Sequence, residues 1–200
     1  MQIHDVADLK NAIVAASIRH NGESQRIAEQ IRDRFLLGNA DVFDLFPLDL
    51  PIWHMDAEPD ERVDLVLQRL AAADALIFVI PEWQGMVPTC LKNLLLWSSS
   101  DELAHKPVLP VALSLSSGGA FAIAEMRATG YRNGRLLYLP EHLILRSVSD
   151  LWNDQDHPAD AYLAGRSQYC IDQLLIYASV LKPVRNSLCI GLNDFPDAMI

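Results

Sequence analysis

Ala75-Leu76-Ile77-Phe78-Val79-Ile80 is an unbroken apolar run that stops abruptly at Pro81-Glu82-Trp83-Gln84-Gly85-Met86-Val87-Pro88. It is too short to cross a membrane, and its β-branched and aromatic content makes it a strand buried on both faces. Such strands belong to sheets covered by helices on each side. In an open sheet of that kind the ligand binds where strands empty into loops at their carboxyl ends. A loop with two prolines, a glycine, an acid and a large aromatic is therefore expected to wall a planar, mostly apolar ligand. The apolar helical pattern that follows runs to Trp97.

The rest of the chain repeats the alternation. Ala12–Ala16 reads as a strand, and a helix from Ser24 carries Ile27, Ala28, Ile31, Phe35 and Leu36 on one face, with Gly38-Asn39 as its stop. Asp41–Phe46 reads as a second strand, and Pro47 to Pro51 as a rigid turn. A helix with Val63, Val66, Leu67 and Leu70 precedes the opening run. Val108–Leu115 is the fourth strand, with Pro110 placed at its start or at an irregularity, and a helix follows over Ala120–Tyr131. Leu136–Tyr138 and His142–Val148 make a last strand split by Pro140, and a long helix spans Pro158–Leu181. Five strands alternating with five helices predict an α/β three-layer sandwich with a parallel sheet in the flavodoxin-like order 2-1-3-4-5. One domain is expected over residues 1–200, with its core at about 12–182 and a tail at 183–200.

Composition narrows the partners. A net charge of −10 opposes nucleic acid and acidic membranes, both of which need a basic surface. Cys90, Cys170 and Cys189 are widely spaced, with neither a CxxC nor a metal-ligand pattern, which fits buried thiols in a reducing compartment. The N-terminal segment has no signal-peptide pattern and no apolar run has spanning length, so the cytoplasm is the expected location.

Strand order 2-1-3-4-5 brings three loops to one edge. The first, Ser17-Ile18-Arg19-His20-Asn21-Gly22-Glu23-Ser24, has two hydroxyls, a guanidinium and a helix start, the donors a phosphate requires. Glu23 has to point away for that reading to hold, and Ser24 alone could be a helix cap. In the second loop Trp83 can stack on a ring and the amides of Gln84 and Gly85 can reach its polar rim; Trp83 could also simply pack in a core. Lys92 and Asn93 are assigned to helix packing rather than catalysis. The third, Ser116-Ser117-Gly118-Gly119-Ala120, lets backbone approach a ligand because glycine has no Cβ.

At these loops the chain resembles the NADPH-dependent FMN reductase family of flavodoxin-like oxidoreductases. The first loop is similar to the family's Gly-Ser-x-Arg phosphate loop. Pro81–Pro88 with Leu91-Lys92-Asn93 is similar to its Pro-Glu-Tyr-Asn-Gly-Ser-x-Pro…Leu-Lys-Asn signature, and Ser117-Gly118-Gly119 with Met126-Arg127 to its third loop and the helix behind it. Ala16, Glu23, Trp83, Gln84 and Thr89 depart from the family pattern. The resemblance implies noncovalent FMN, reduced by NADPH or NADH and reoxidised by a small acceptor of the quinone, azo, flavin or metal-oxyanion type. It implies that Ser17, Arg19 and Ser24 hold the phosphate, that Pro81, Glu82, Trp83, Gln84 and Gly85 line the isoalloxazine, and that Ser117, Gly118 and Gly119 close the other side. No acid–base residue and no metal are required, since the flavin carries the chemistry. It also implies a homodimer or homotetramer that buries the helix after the second loop; the run Leu94-Leu95-Leu96-Trp97 exceeds what one helical face needs.

Two other readings use the same residues. A noncatalytic flavodoxin-like binding module would follow if the altered phosphate loop had lost its ligand. A serine esterase would use Ser17 with Asp154 and His157, although Ser17 lacks the Gly-Asp that precedes such nucleophiles.

Overall fold

Strands and helices alternate through residues 6–153 and 159–195, which the computed structural model describes. They run β1 (Asn11–Ala15), α1 (Glu23–Phe35), β2 (Asp41–Asp44), α2 (Leu45–Leu48), α3 (Glu61–Ala72), β3 (Ala75–Pro81), α4 (Thr89–Trp97), α5 (Ser100–Leu103), β4 (Pro107–Leu113), α6 (Ala120–Ala128), β5 (Leu137–Tyr138), β6 (Leu143–Leu145), α7 (Asp160–Leu181) and α8 (Arg185–Leu188). Asp154–His157, Pro158 and the last five residues of the tail lie outside the described residues.

The sheet is parallel in the order β2-β1-β3-β4-β5, with β6 also paired to β4. Alternate strand residues face opposite sides, as the pleat requires. Ile13, Ala15, Ile77, Val79, Leu109 and Val111 pack with Ile27 and Ile31 of α1 and Ile171 and Leu174 of α7. Ala12, Val14, Leu76, Phe78 and Ile80 pack with Val66 and Leu70 of α3, Leu91 and Leu94 of α4, and Ala122 and Met126 of α6. The result is the three-layer flavodoxin-like sandwich, and its strand order reverses between β1 and β3, where α/β sheets open a crevice.

Three local departures from the sequence reading have physical causes. β2 ends at Asp44 rather than Phe46 because the Asp44 side chain accepts from the Phe46 N–H and starts α2. α6 stops at Ala128 rather than Tyr131, with Gly130 just beyond it at φ +76°. Pro110 lies in the middle of β4, opposite Phe78 of β3. Its place in an internal strand follows from the direction of its neighbours' bonds. The Val108 carbonyl accepts from Leu139 and the Leu113 carbonyl from Glu82, so even-numbered residues of β4 address β5 and β6. β5 pairs with Pro107 and Val108, and β6 with Val111 to Leu113. The missing Pro110 N–H thus falls in the gap between these two strands, the gap that Pro140 creates. No ladder bond is lost.

Candidate cofactor site at the carboxyl edge

The first loop leaves β1 and turns into α1 through Asn21 at φ +49°, a conformation asparagine tolerates, and Gly22. Gly22 is extended, and no side chain caps the N-terminus of this 13-residue helix. Ser17 and Ser24 are both buried, with their hydroxyl oxygens 2.6 Å apart at that open end. A Cβ on Gly22 would lie 3.3 Å from the Ser17 hydroxyl, so glycine keeps the hydroxyl pair reachable. Arg19 is exposed and has no hydrogen-bond or ion-pair partner among the described residues. Glu23 is held by Arg26, Nε to Oε2 at 2.7 Å, and Arg26 also donates to the Val148 and Leu151 carbonyls. The acid in this loop is therefore neutralised by a cation anchored to the segment after β6. Below the loop the Cys90 thiol donates to the Ser17 carbonyl at 3.3 Å, and burial pushes its pKa up to about 11, which leaves it protonated.

The second loop is a tight two-residue hairpin. Trp83 and Met86 exchange both backbone hydrogen bonds, at 3.1 and 2.9 Å, and Gln84 and Gly85 at its tip have φ of +51° and +74°. Two consecutive positive φ values are the type I′ geometry, which suits glycine at the second position. Trp83 is 41% exposed. Glu82 points away from the hairpin tip: its Oε2 accepts from the Ala122 N–H at 2.9 Å, in the first turn of α6.

The third loop is folded on the protein's own groups. Ser114 Oγ accepts from the N–H groups of Ser116 and Gly118, and Arg146 donates to the Gly118 carbonyl. A Cβ at Gly118 would come 2.6 Å from Glu82 Oε1, and one at Gly119, where φ is +104°, 2.5 Å from Ile144. The expected reason for these glycines was the approach of a ligand. Within the protein, the space a side chain would need is filled by Glu82 and Ile144. Ser117 is exposed at the lip.

Two cavities open at this edge and meet at Ser17 and Ile18. One, of about 200 Å³, is lined by Arg19, Gly22, Glu23, Ser24, Pro81, Glu82, Trp83 and the chain from Leu113 to Ser116. The other, of about 950 Å³, lies between α2 and α4 and is lined mainly by apolar groups, including Phe46, Leu50, Ile52, Trp53 and Leu96. Its rim is fixed by Asn93, whose amide donates to the Pro51 carbonyl and accepts from the Trp53 N–H, while Trp97 Nε1 also donates to Pro51. The smaller cavity joins all three loops, and it alone has the Ser17–Ser24 pair, the open end of α1 and Arg19 together. The larger has volume without that donor set. Among the residues singled out from sequence, Gln84, Gly85 and Ser117 to Gly119 do not line the smaller cavity; they stand on the hairpin and the third loop, whose residues Trp83 and Ser116 do. Arg26, Ser114, Glu125 and Arg146 were not singled out. Glu125, Arg146 and the Arg26 contacts to Val148 and Leu151 depend on partners distant in sequence, for which a single chain carries no signal. Ser114, by contrast, binds N–H groups two and four residues on, and Arg26 meets Glu23 three residues back, spacings that are legible locally.

Residues 9–149 match the model of the NADPH-dependent FMN reductase family. An NADPH azoreductase of Bacillus sp. (strain OY1-2) is 27% identical over 90% of this chain and 98% of its own. A 2-hydroxy-1,4-benzoquinone reductase of Burkholderia sp. is 33% identical over 70% of this chain and 81% of its own. In structure, a flavoenzyme NAD(P)H:(acceptor) oxidoreductase from Paracoccus denitrificans superposes with a TM-score of 0.68 at 20% identity, covering 86% of this chain and 98% of that one. The chain belongs to the NADPH-dependent FMN reductase family. It is an FMN-dependent oxidoreductase that takes reducing equivalents from NAD(P)H and delivers them to small acceptors.

Proposed function

We propose that the smaller cavity holds the FMN phosphate and ribityl chain and that the isoalloxazine lies at its mouth beside Trp83. The observation that carries this reading is the open end of α1, where two buried hydroxyls meet and Arg19, which has no partner among the described residues, lines the same cavity. An anion there completes the helix N-terminus and gives Arg19 a partner. Ser17 and Ser24 donate to the phosphate, and Arg19 neutralises it. Trp83 offers an aromatic face and the hairpin tip offers amides, while Ser117 and the Gly118-Gly119 backbone border the far side. When bound, FMN supplies hydride acceptance and electron delivery, so the chain's residues place, orient and shield. The two relatives are named for azo and quinone substrates, which supports planar aromatic acceptors.

Against the esterase reading, the Ser17 hydroxyl is engaged with Ser24; its other two members, Asp154 and His157, lie outside the described residues. The test of the main reading is direct. The purified protein should be yellow or take up added FMN, and NADPH should bleach it without oxygen. A colourless protein that stays flavin-free under saturating FMN overturns the assignment and favours the noncatalytic module.

We further propose a homodimer or homotetramer in which a second copy covers the larger cavity. Leu96 and Ile52, both lining it, are 55% and 82% exposed. A single monomeric species in light scattering would remove this. Three unpaired cysteines support a reducing compartment, the cytoplasm, and among the described residues no helix is long and apolar enough to cross a membrane.

A further inference from the structure

The hairpin of the second loop is fixed at both of its stems, and both ties run to the same face of one helix. On the entering side, Glu82 reaches across to α6 and accepts from the Ala122 N–H at 2.9 Å. On the leaving side, Glu125 of α6 reaches back and accepts from the Val87 N–H at 2.8 Å. Ala122 and Glu125 are three residues apart, so they lie one above the other on the helix surface. Each partner thus gives one carboxylate and receives one, and residues 83–86 are held between the two ties.

Glu82 also lines the smaller cavity, whereas Glu125 does not. Gly119, the residue before α6, supplies no side-chain cap, so Glu82 does the capping from another loop. Glu125 is also paired with Lys92 of α4. Burial would raise the Glu125 pKa, but the Lys92 and Val87 hydrogen bonds outweigh it and hold the carboxyl below its ordinary value, in the accepting form. Val87 is 2% exposed, which leaves its N–H no access to water. Losing Glu125 would strand that donor, a cost that a shift of the hairpin would relieve.

We propose that Glu125 is a positioning residue of the flavin site: with Glu82 it locks the Trp83–Met86 hairpin onto α6 and so sets the height of Trp83 and the Gln84–Gly85 amides beside the ring. Its effect on flavin rests on the FMN reading above; the lock itself does not. Glu125 lines neither cavity and acts through the loop and through its partner Lys92, which lines the larger one.

The lock is tested by amide hydrogen exchange at Val87 in flavin-free protein, followed by FMN titration of the same samples. Glu125→Ala should speed Val87 exchange by about tenfold or more and weaken FMN binding about tenfold, the scale of one hydrogen bond to a charged group. Glu125→Gln keeps an oxygen for Val87 and should restore both readings, although it removes the charge facing Lys92. In the wild type, the Val87 amide proton resonance should follow the Glu125 titration on acidification, a measurement that requires no variant to fold. A pH-insensitive Val87 resonance or unchanged Val87 protection in Glu125→Ala overturns the lock. Unchanged FMN affinity with an unprotected Val87 overturns its positioning role. Wild-type protein that takes up no FMN refutes the reductase reading and with it the role toward flavin, while the exchange data still decide the lock.

Discussion

The carboxyl and amino edges of the sheet both carry buried polar groups, and they use them in opposite ways. At the amino edge the described charges are closed on one another. Asp74, 6% exposed, accepts from the Lys10 N–H at 3.0 Å and from Lys182 at 2.8 Å, while Arg185 lies at 3.4 Å and also donates to the Asp74 carbonyl. Lys106, buried, donates to the Leu70 and Ala71 carbonyls in the last turn of α3, and burial pulls its pKa down to about 8. At the carboxyl edge α1 has no side-chain cap and Arg19 has no partner among the described residues. Helix ends closed from within stabilise the fold; one left open is available to an anion. The third loop is intermediate, since Glu82 closes the first turn of α6; α4 also lacks a side-chain cap, but its first turn lines the larger cavity, so α1 is the open helix end at the smaller one.

If that contrast is right, substitutions at the two edges should separate stability from binding. The largest effect on stability is expected at Asp74. Asp74→Ala leaves the Lys10 N–H without its acceptor and removes the carboxylate beside Arg185 and Lys182, which keep only the carbonyls of residues 74 and 8, and should cost about 2 kcal/mol of unfolding free energy, read from urea denaturation, with FMN affinity unchanged. A comparable loss of FMN affinity would break the separation. Arg19→Ala should do the converse, weakening FMN binding roughly ten- to a hundredfold for a charge-assisted phosphate contact while the urea midpoint stays put. Ser24→Ala removes one neutral donor and should weaken FMN by about fivefold, measured by flavin fluorescence quenching; an unaltered affinity would leave Ser24 a structural partner of Ser17 only.

The pH dependence sharpens the same contrast. Burial acts to raise the Asp74 pKa, but the Lys182 hydrogen bond, the Lys10 N–H and the charges of Lys182 and Arg185 together lower it. A carboxyl lowered in the folded state contributes stability that is complete above its unfolded value of about 3.9 and lost as pH falls through the folded value. Asp74→Asn should therefore flatten the fall in stability below about pH 4, checked as urea midpoints across an acid series. An acid slope identical to the wild type would show that the amino-edge cluster is not what acid disrupts.

Much of this architecture was legible in the residues. The apolar run at Ala75–Ile80 predicted a doubly buried strand, and β3 occupies it, with pairing to β1 on one side and β4 on the other. The wording of the second loop led to the family. The proline-split last strand also held, because Pro140 removes a donor wherever the chain folds. Less legible was why the third loop needs glycine. The reading from residues named a ligand, and within the protein Glu82 and Ile144 fill the space. Glu23 looked awkward in a phosphate loop until Arg26 was seen to hold it.

The sequence by itself determined what is local or periodic: which runs are strands, which faces are apolar, where proline and glycine interrupt, and which loop words mark the family. Tertiary structure decided what depends on meeting across the fold. Asp74 and Lys182 are 108 residues apart, and Glu82 and Ala122 are 40 apart. Whether a carboxylate caps a helix, closes an ion pair or lines a pocket depends on which partner the packed layers bring within about 3 Å, and no spacing along the chain encodes that.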